Sequence, residues 1–183
     1  MIITKNKTGI NNQLLQEIAL LCSDLMDIDL DDIFAEFFTS KKYIAGLASK
    51  YILELKIPIH FFFRNNGSEF YFARDIIGTF AHELQHIADR QNNLEFSGFK
   101  KRWGKRPHEV RAEHTKNLVL ERIDDTLPFH DITIRLAKEI RRIRKDKAEV
   151  DIDYKMRLDN FNEFFKRMTK SQPEIYPLVE EMK

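Results

Sequence analysis

Hydrophobic positions along the chain fall mainly at helical spacing. After a polar start, Leu14, Leu15, Ile18, Leu21 and Leu25 recur every three or four residues, with Asn11 or Asn12 placed to cap them, so this segment predicts a packing helix. Asp31 and Asp32 open a second predicted helix carrying Ile33, Phe34, Phe37 and Phe38. A third is predicted from about 41 to 55, on Ile44, Leu47, Ala48, Tyr51, Ile52 and Leu55. Pro58 then breaks the pattern. Residues Ile57 to Phe63 and Glu69 to Ala73 read as two short strands, joined as a β-hairpin around Asn66-Gly67.

Beyond the hairpin the helical period returns. A central helix is predicted from about Asp75 to Gln91, with Ile77, Phe80, Ala81, Leu84 and Ala88 as its apolar stripe. Thr79, His82, Glu83, His86 and Arg90 share its other side. A loop with two glycines follows from Leu94 to Arg106, and Pro107 suits the first turn of a further helix running past Leu120. Two amphipathic, highly charged helices are predicted at about 130–147 and 158–168. These elements predict a mostly helical α+β fold in one domain, 1–183. Its N-terminal helices occupy 1–56, a core with a short hairpin or small sheet 57–127, and C-terminal helices 128–183.

The chemistry of the chain concentrates in the central helix, which contains His82-Glu83-Leu84-Gln85-His86, the pattern H-E-x-x-H. On a helix this spacing sets both imidazoles on one face, one turn apart, within reach of one zinc ion. Glu83 then stands beside the metal's open position, as a general base for a zinc-activated water. Asp27-Ile-Asp-Leu-Asp-Asp32 superficially suggests a second metal loop, but it lacks the glycine and terminal glutamate of an EF-hand and reads instead as helix-start acidity.

Composition narrows the class. The 183 residues carry a formal net charge of +1, so charge gives no general drive toward nucleic acid or membrane. A basic and aromatic cluster between Phe99 and Arg106 has the residue types that bind single strands, but in a chain of this charge it reads better as a loop bordering a cleft. Cys22 is the only cysteine, which rules out an intrachain disulfide and a cysteine-based zinc site and predicts a reducing, cytoplasmic setting. No signal-like or membrane-length apolar run is present, so no membrane partner is expected.

Catalytic zinc needs a third protein ligand. Asp89 and Asn92 stand where the extended metzincin motif requires glycine and histidine, and the inverted motif H-x-x-E-H is absent. Glu109 and Glu113 lie one turn apart on the next predicted helix, with Ala112 between them to let two helices approach. Helical phase alone points both glutamates toward the metal. His108 and His114 are further candidates, on other sides of that helix.

The stretch Glu109-Val-Arg-Ala-Glu113 resembles the ligand helix of gluzincins, E-x-x-A-D or E-x-x-x-D. From Arg74 to Leu120 the chain also resembles the small ImmA/IrrE-like peptidases, through Gly78-Thr-Phe-Ala-His-Glu-Leu-Gln-His86 and the later glutamate helix. Gln85 replaces that family's usual glycine, and its Asn-x-Phe-Ala after the second helix is missing here.

The resemblance implies a minimal zincin-like core and a protein or peptide substrate. It makes Glu109 the third zinc ligand and Glu113 the group that orients a zinc histidine, with the reverse assignment still open. The expected activity is zinc-dependent peptide hydrolysis with Glu83 as base. Tyr71, His108, His130 and Tyr154 are all candidates to steady the oxyanion. The alternative is a non-catalytic protein- or nucleic-acid-binding module on the same scaffold.

Overall fold

The computed structural model describes residues 1–40, 44–59, 69–94 and 105–147. The chain divides into two compact units, Met1–Arg144 and Lys145–Lys183, and the first holds every element that positions the candidate site. The fold is α+β and mostly helical. In order it contains β1 (Ile2–Asn6), α1 (Asn12–Ser23), β2 (Phe34–Thr39), β3 (Ala45–Ala48), β4 (Ile52–Ile57), α2 (Glu69–Gln91) and α3 (Pro107–Asp125). A further helix, α4, is described over 127–147.

The N-terminal third departs most from expectation. Helix α1 forms as its period predicts, capped by the Asn11 side chain, which accepts from the Gln13 backbone N–H at 2.8 Å. The helices expected at 31–38 and 41–55 are instead strands β2, β3 and β4. The physical reason is a choice of period. Leu53, Leu55 and Ile57 alternate and are fully buried, whereas Leu47, Tyr51 and Ile52, required inside by the helical reading, are exposed.

The Asp27–Asp32 stretch therefore does not start a helix. It is a surface segment ahead of β2, fastened by the far end of α2: Gln91 exchanges two 2.9 Å hydrogen bonds with the Asp29 backbone, and Asn92 donates to the Asp27 carbonyl.

The sheet order is β1-β2-β4-β3. β1, β2 and β4 run parallel, and β3 is an antiparallel edge strand against β4. One sheet face, with Ala35, Phe37, Leu53, Leu55 and Ile57, is sealed by α1 and α2. Phe37 stacks on Phe80 of α2 with ring centroids 5.9 Å apart. Phe129, Ile132, Leu136, Ile140 and Ile143 of α4 join the same core.

Helix α2 begins six residues before its expected start, at Glu69. The second hairpin strand expected at Glu69 to Ala73 is thus its first turns; of the first strand, expected from Ile57, that residue ends β4 and Pro58 and Ile59 lie past the strand, and residues 60–68 lie outside the described residues. Its polar side is covered as well, because α3 packs antiparallel along it. Arg74 donates to Asp124 and to the Leu120 carbonyl at one end, and Arg111 to Asp89 at the other. Gly78 permits the close approach: a Cβ there would lie 3.1 Å from Leu120 Cδ2. Among the described residues no helix is long and apolar enough to cross a membrane.

Helix α2 ends on Asn93, whose φ of 54° lies in the left-handed region. The Leu94 N–H reaches back to the Asp89 carbonyl at 2.7 Å and closes the end. Asn93→Ala is expected to lower stability by about 1 kcal/mol, the cost of a Cβ in that region, and Asn93→Gly to be harmless. Denaturant midpoints of the two variants check this.

Candidate metal centre

The site is built where α2 and the first turn of α3 meet. His82 and His86 project from one face of α2 with ring centroids 4.8 Å apart and planes nearly perpendicular. Pro107 opens α3, and Glu109 sits in that helix's first turn, where the positive end of the helix dipole favours a carboxylate. Glu109 Oε2 lies 3.4 Å from His82 Nε2 and 3.6 Å from His86 Nε2. One ligand atom from each residue lies within 4.8 Å of the others, and no other such trio occurs among the described residues.

These separations carry chemical information. Ligand atoms about 2.1 Å from a tetrahedral zinc lie roughly 3.4 Å from one another. Glu109 Oε2 therefore already stands at about the distance from both imidazole nitrogens that a shared cation would impose. Their protonation suits it too. Burial, then the positive charge on His82 and His108, pushes the His86 imidazole down to about 4, and burial also lowers His82 against the pull of Glu113. At neutral pH both rings are the uncharged form that offers a lone pair.

The two glutamates of α3 occupy different places. Glu109 is 4 % exposed and faces both Nε2 atoms. Glu113 is half exposed and lies 3.6 Å from the opposite nitrogen of His82, Nδ1, where it can fix that ring's tautomer.

Glu83 is buried, and its side chain lies over the backbone of β3. A Cβ at Gly46 would fall inside contact distance of Glu83 Cγ, Cδ and Oε1, so the glutamate occupies the space that this glycine leaves. Burial, and then the negative charge of Glu109, raises its carboxyl to about 7, with Arg90 opposing. Arg90 also donates to the Ala48 carbonyl, tying α2 to the edge strand.

The remaining candidates separate cleanly. His108 is buried beside the trio, with Nε2 3.5 Å from Glu109 Oε1 and its ring 5.7 Å from that of His86. His114 is exposed on α3. Tyr71 is exposed near the start of α2, roughly 16 Å along the axis from His82 at the helical rise. His130 contacts Phe70 and the Ile123 carbonyl, away from the trio. Tyr154 and most of the Phe99–Arg106 cluster lie outside the described residues.

The sequence reading missed Gly46, Arg90's hold on β3, and the pairing of buried Asp89 with Arg111. Only the glycine left a signal: inside a predicted helix it costs about 1 kcal/mol relative to alanine, which argues for another conformation there. Comparison with protein-family models, curated proteins and solved structures finds no match to the chain.

The Glu83 environment predicts a specific pH dependence in metal-free protein. A carboxyl whose folded pKa is raised from 4.5 to about 7 keeps a proton that the unfolded chain releases, so stability falls as pH rises through that interval. Glu83→Gln is expected to stabilise the metal-free protein by about 3 kcal/mol near pH 8 and to change little near pH 4. In a Gly46→Ala background, where the glutamate loses its place against β3, this pH contrast should largely vanish. Denaturant titrations at the two pH values measure both effects.

Proposed function

We propose that the protein is a zinc metallopeptidase that hydrolyses peptide bonds, with His82, His86 and Glu109 as ligands and Glu83 as general base. The observation that carries this reading is the trio of ligand atoms, with Glu109 Oε2 at about tetrahedral spacing from both imidazole nitrogens and a buried carboxyl, Glu83, on the next residue to His82. Zinc, when bound there, supplies Lewis acidity toward a carbonyl and toward water.

The chain's own residues supply the rest. Glu83 takes a proton from the attacking water and returns it to the leaving amine. Glu113 holds His82 through Nδ1, so that Nε2 remains the ligand atom. Edge strand β3 supports a peptide as the substrate. It runs beside Glu83, its glycine lets a backbone come close, and its outer side is unpaired among the described residues. An extended chain can add there as a further strand, directed past the trio. A lone buried Cys22 fits a reducing cytoplasm as the working compartment.

Protein purified without added zinc is expected to carry about one zinc per chain, and His82→Ala to lose it. Metal-free wild-type protein that is indifferent to that substitution would overturn the reading. Glu83→Gln should keep the metal while cleavage of a peptide library falls by ~10²–10⁴. Glu109→Ala should release zinc, and Glu113→Ala should weaken it by about ten- to a hundredfold. The reverse order would exchange the two roles.

A further inference from the structure

A second polar assembly joins the same two helices, on the side of the interface next to the trio. Thr115 donates its hydroxyl to Gln85 Oε1 at 2.7 Å, and Gln85 Nε2 donates to Asp89 Oδ1 at 2.8 Å. Arg111 closes the set onto the other oxygen of Asp89, with Nε at 2.9 Å and a terminal nitrogen at 2.8 Å. Gln85 and Asp89 are one turn apart on α2, and Arg111 and Thr115 are one turn apart on α3. The result is two rungs between antiparallel helices, linked along α2. Asp89 is fully buried, and Thr115 is 6 % exposed.

We propose that this clasp of Gln85, Asp89, Arg111 and Thr115 sets the register of α3 against α2, and through it the affinity of the metal centre. The inference rests on the zinc reading above. Two ligands come from α2 and one from α3, so sliding one helix by a single residue would displace Glu109 by about 1.5 Å. A metal site tolerates about 0.5 Å. Apolar burial is non-directional and so defines a position along the axis less sharply than hydrogen bonds between named atoms do. The clasp supplies directional bonds to fixed atoms, one turn from His86 and two residues from Glu109.

The identity of Gln85 follows. The position must accept from Thr115 and donate to Asp89 at once, which an amide does and a glycine or a carboxylate cannot. Gln85→Glu would set two carboxylates against one another.

The test uses the full chain and zinc itself, titrated in competition with a chromophoric chelator, alongside the denaturant midpoint of the metal-free protein. Thr115→Val and Gln85→Met keep volume and remove the rung, and Thr115→Ser keeps the hydroxyl. Zinc affinity is expected to fall about ten- to a hundredfold in each of the first two, and no further in their combination. Thr115→Ser should restore it, and the visible spectrum of the cobalt-substituted protein should change in the first two variants alone. Unchanged zinc affinity with a lowered metal-free midpoint would overturn the proposal, leaving the clasp as fold stabilisation only. Were the first two variants to fail to fold, Arg111→Lys, which keeps the charge and loses the Nε hydrogen bond to Asp89, gives the same reading by the same titration. Wild-type protein that binds no zinc would instead overturn the metal reading, and this inference with it.

Discussion

Glu83 and Glu109 are two carboxyls buried close together, among imidazoles that burial keeps uncharged. Without a cation, such a group of side chains costs stability: either a negative charge is stranded out of water or a proton is held well above its ordinary pKa. The rest of the fold makes that cost bearable. The Phe37–Phe80 stack and the sealed face of the sheet fix α2 from one side, and α3 covers it from the other, so the motif cannot relax by turning its polar residues to solvent. Local destabilisation of this kind, compensated by packing elsewhere, is how functional sites typically depart from an otherwise consistent sequence.

A divalent ion bound there would reverse the balance. The trio repels within itself only weakly when the histidines are neutral, and a cation turns the negative charge on Glu109 from a burden into an attraction. Binding would then favour the folded chain over the unfolded one by mass action. Because the candidate ligands come from two helices and Glu83 leans on a strand, that linkage would extend to the packing of β3, α2 and α3 together.

Much of the centre was legible because it is local. His82, Glu83 and His86 lie within five residues, and helical geometry alone brings their side chains to related positions. Pro107 marked the start of α3 correctly, and with it the turn that carries Glu109. What stayed hidden depends on pairing across the chain. Phe34–Thr39 and Ile52–Ile57 are rich in residues that suit either period, and only the parallel register β2 makes with β4 decides between them. The clasp was equally invisible: Gln85 reads as a departure from a motif until Thr115 and Asp89 are seen at its two ends.

The sheet's two edges have a consequence for the protein in a crowded solution. On one side β1 loses its regular register between Ile3 and Lys5, next to a charged side chain; on the other, β3 is four residues long and ends where Arg90 takes the Ala48 carbonyl. Among the described residues, neither edge offers a long, flat row of backbone groups to another sheet. Two copies meeting edge to edge would gain little, so edges this short or irregular are poorly suited to joining one molecule to the next.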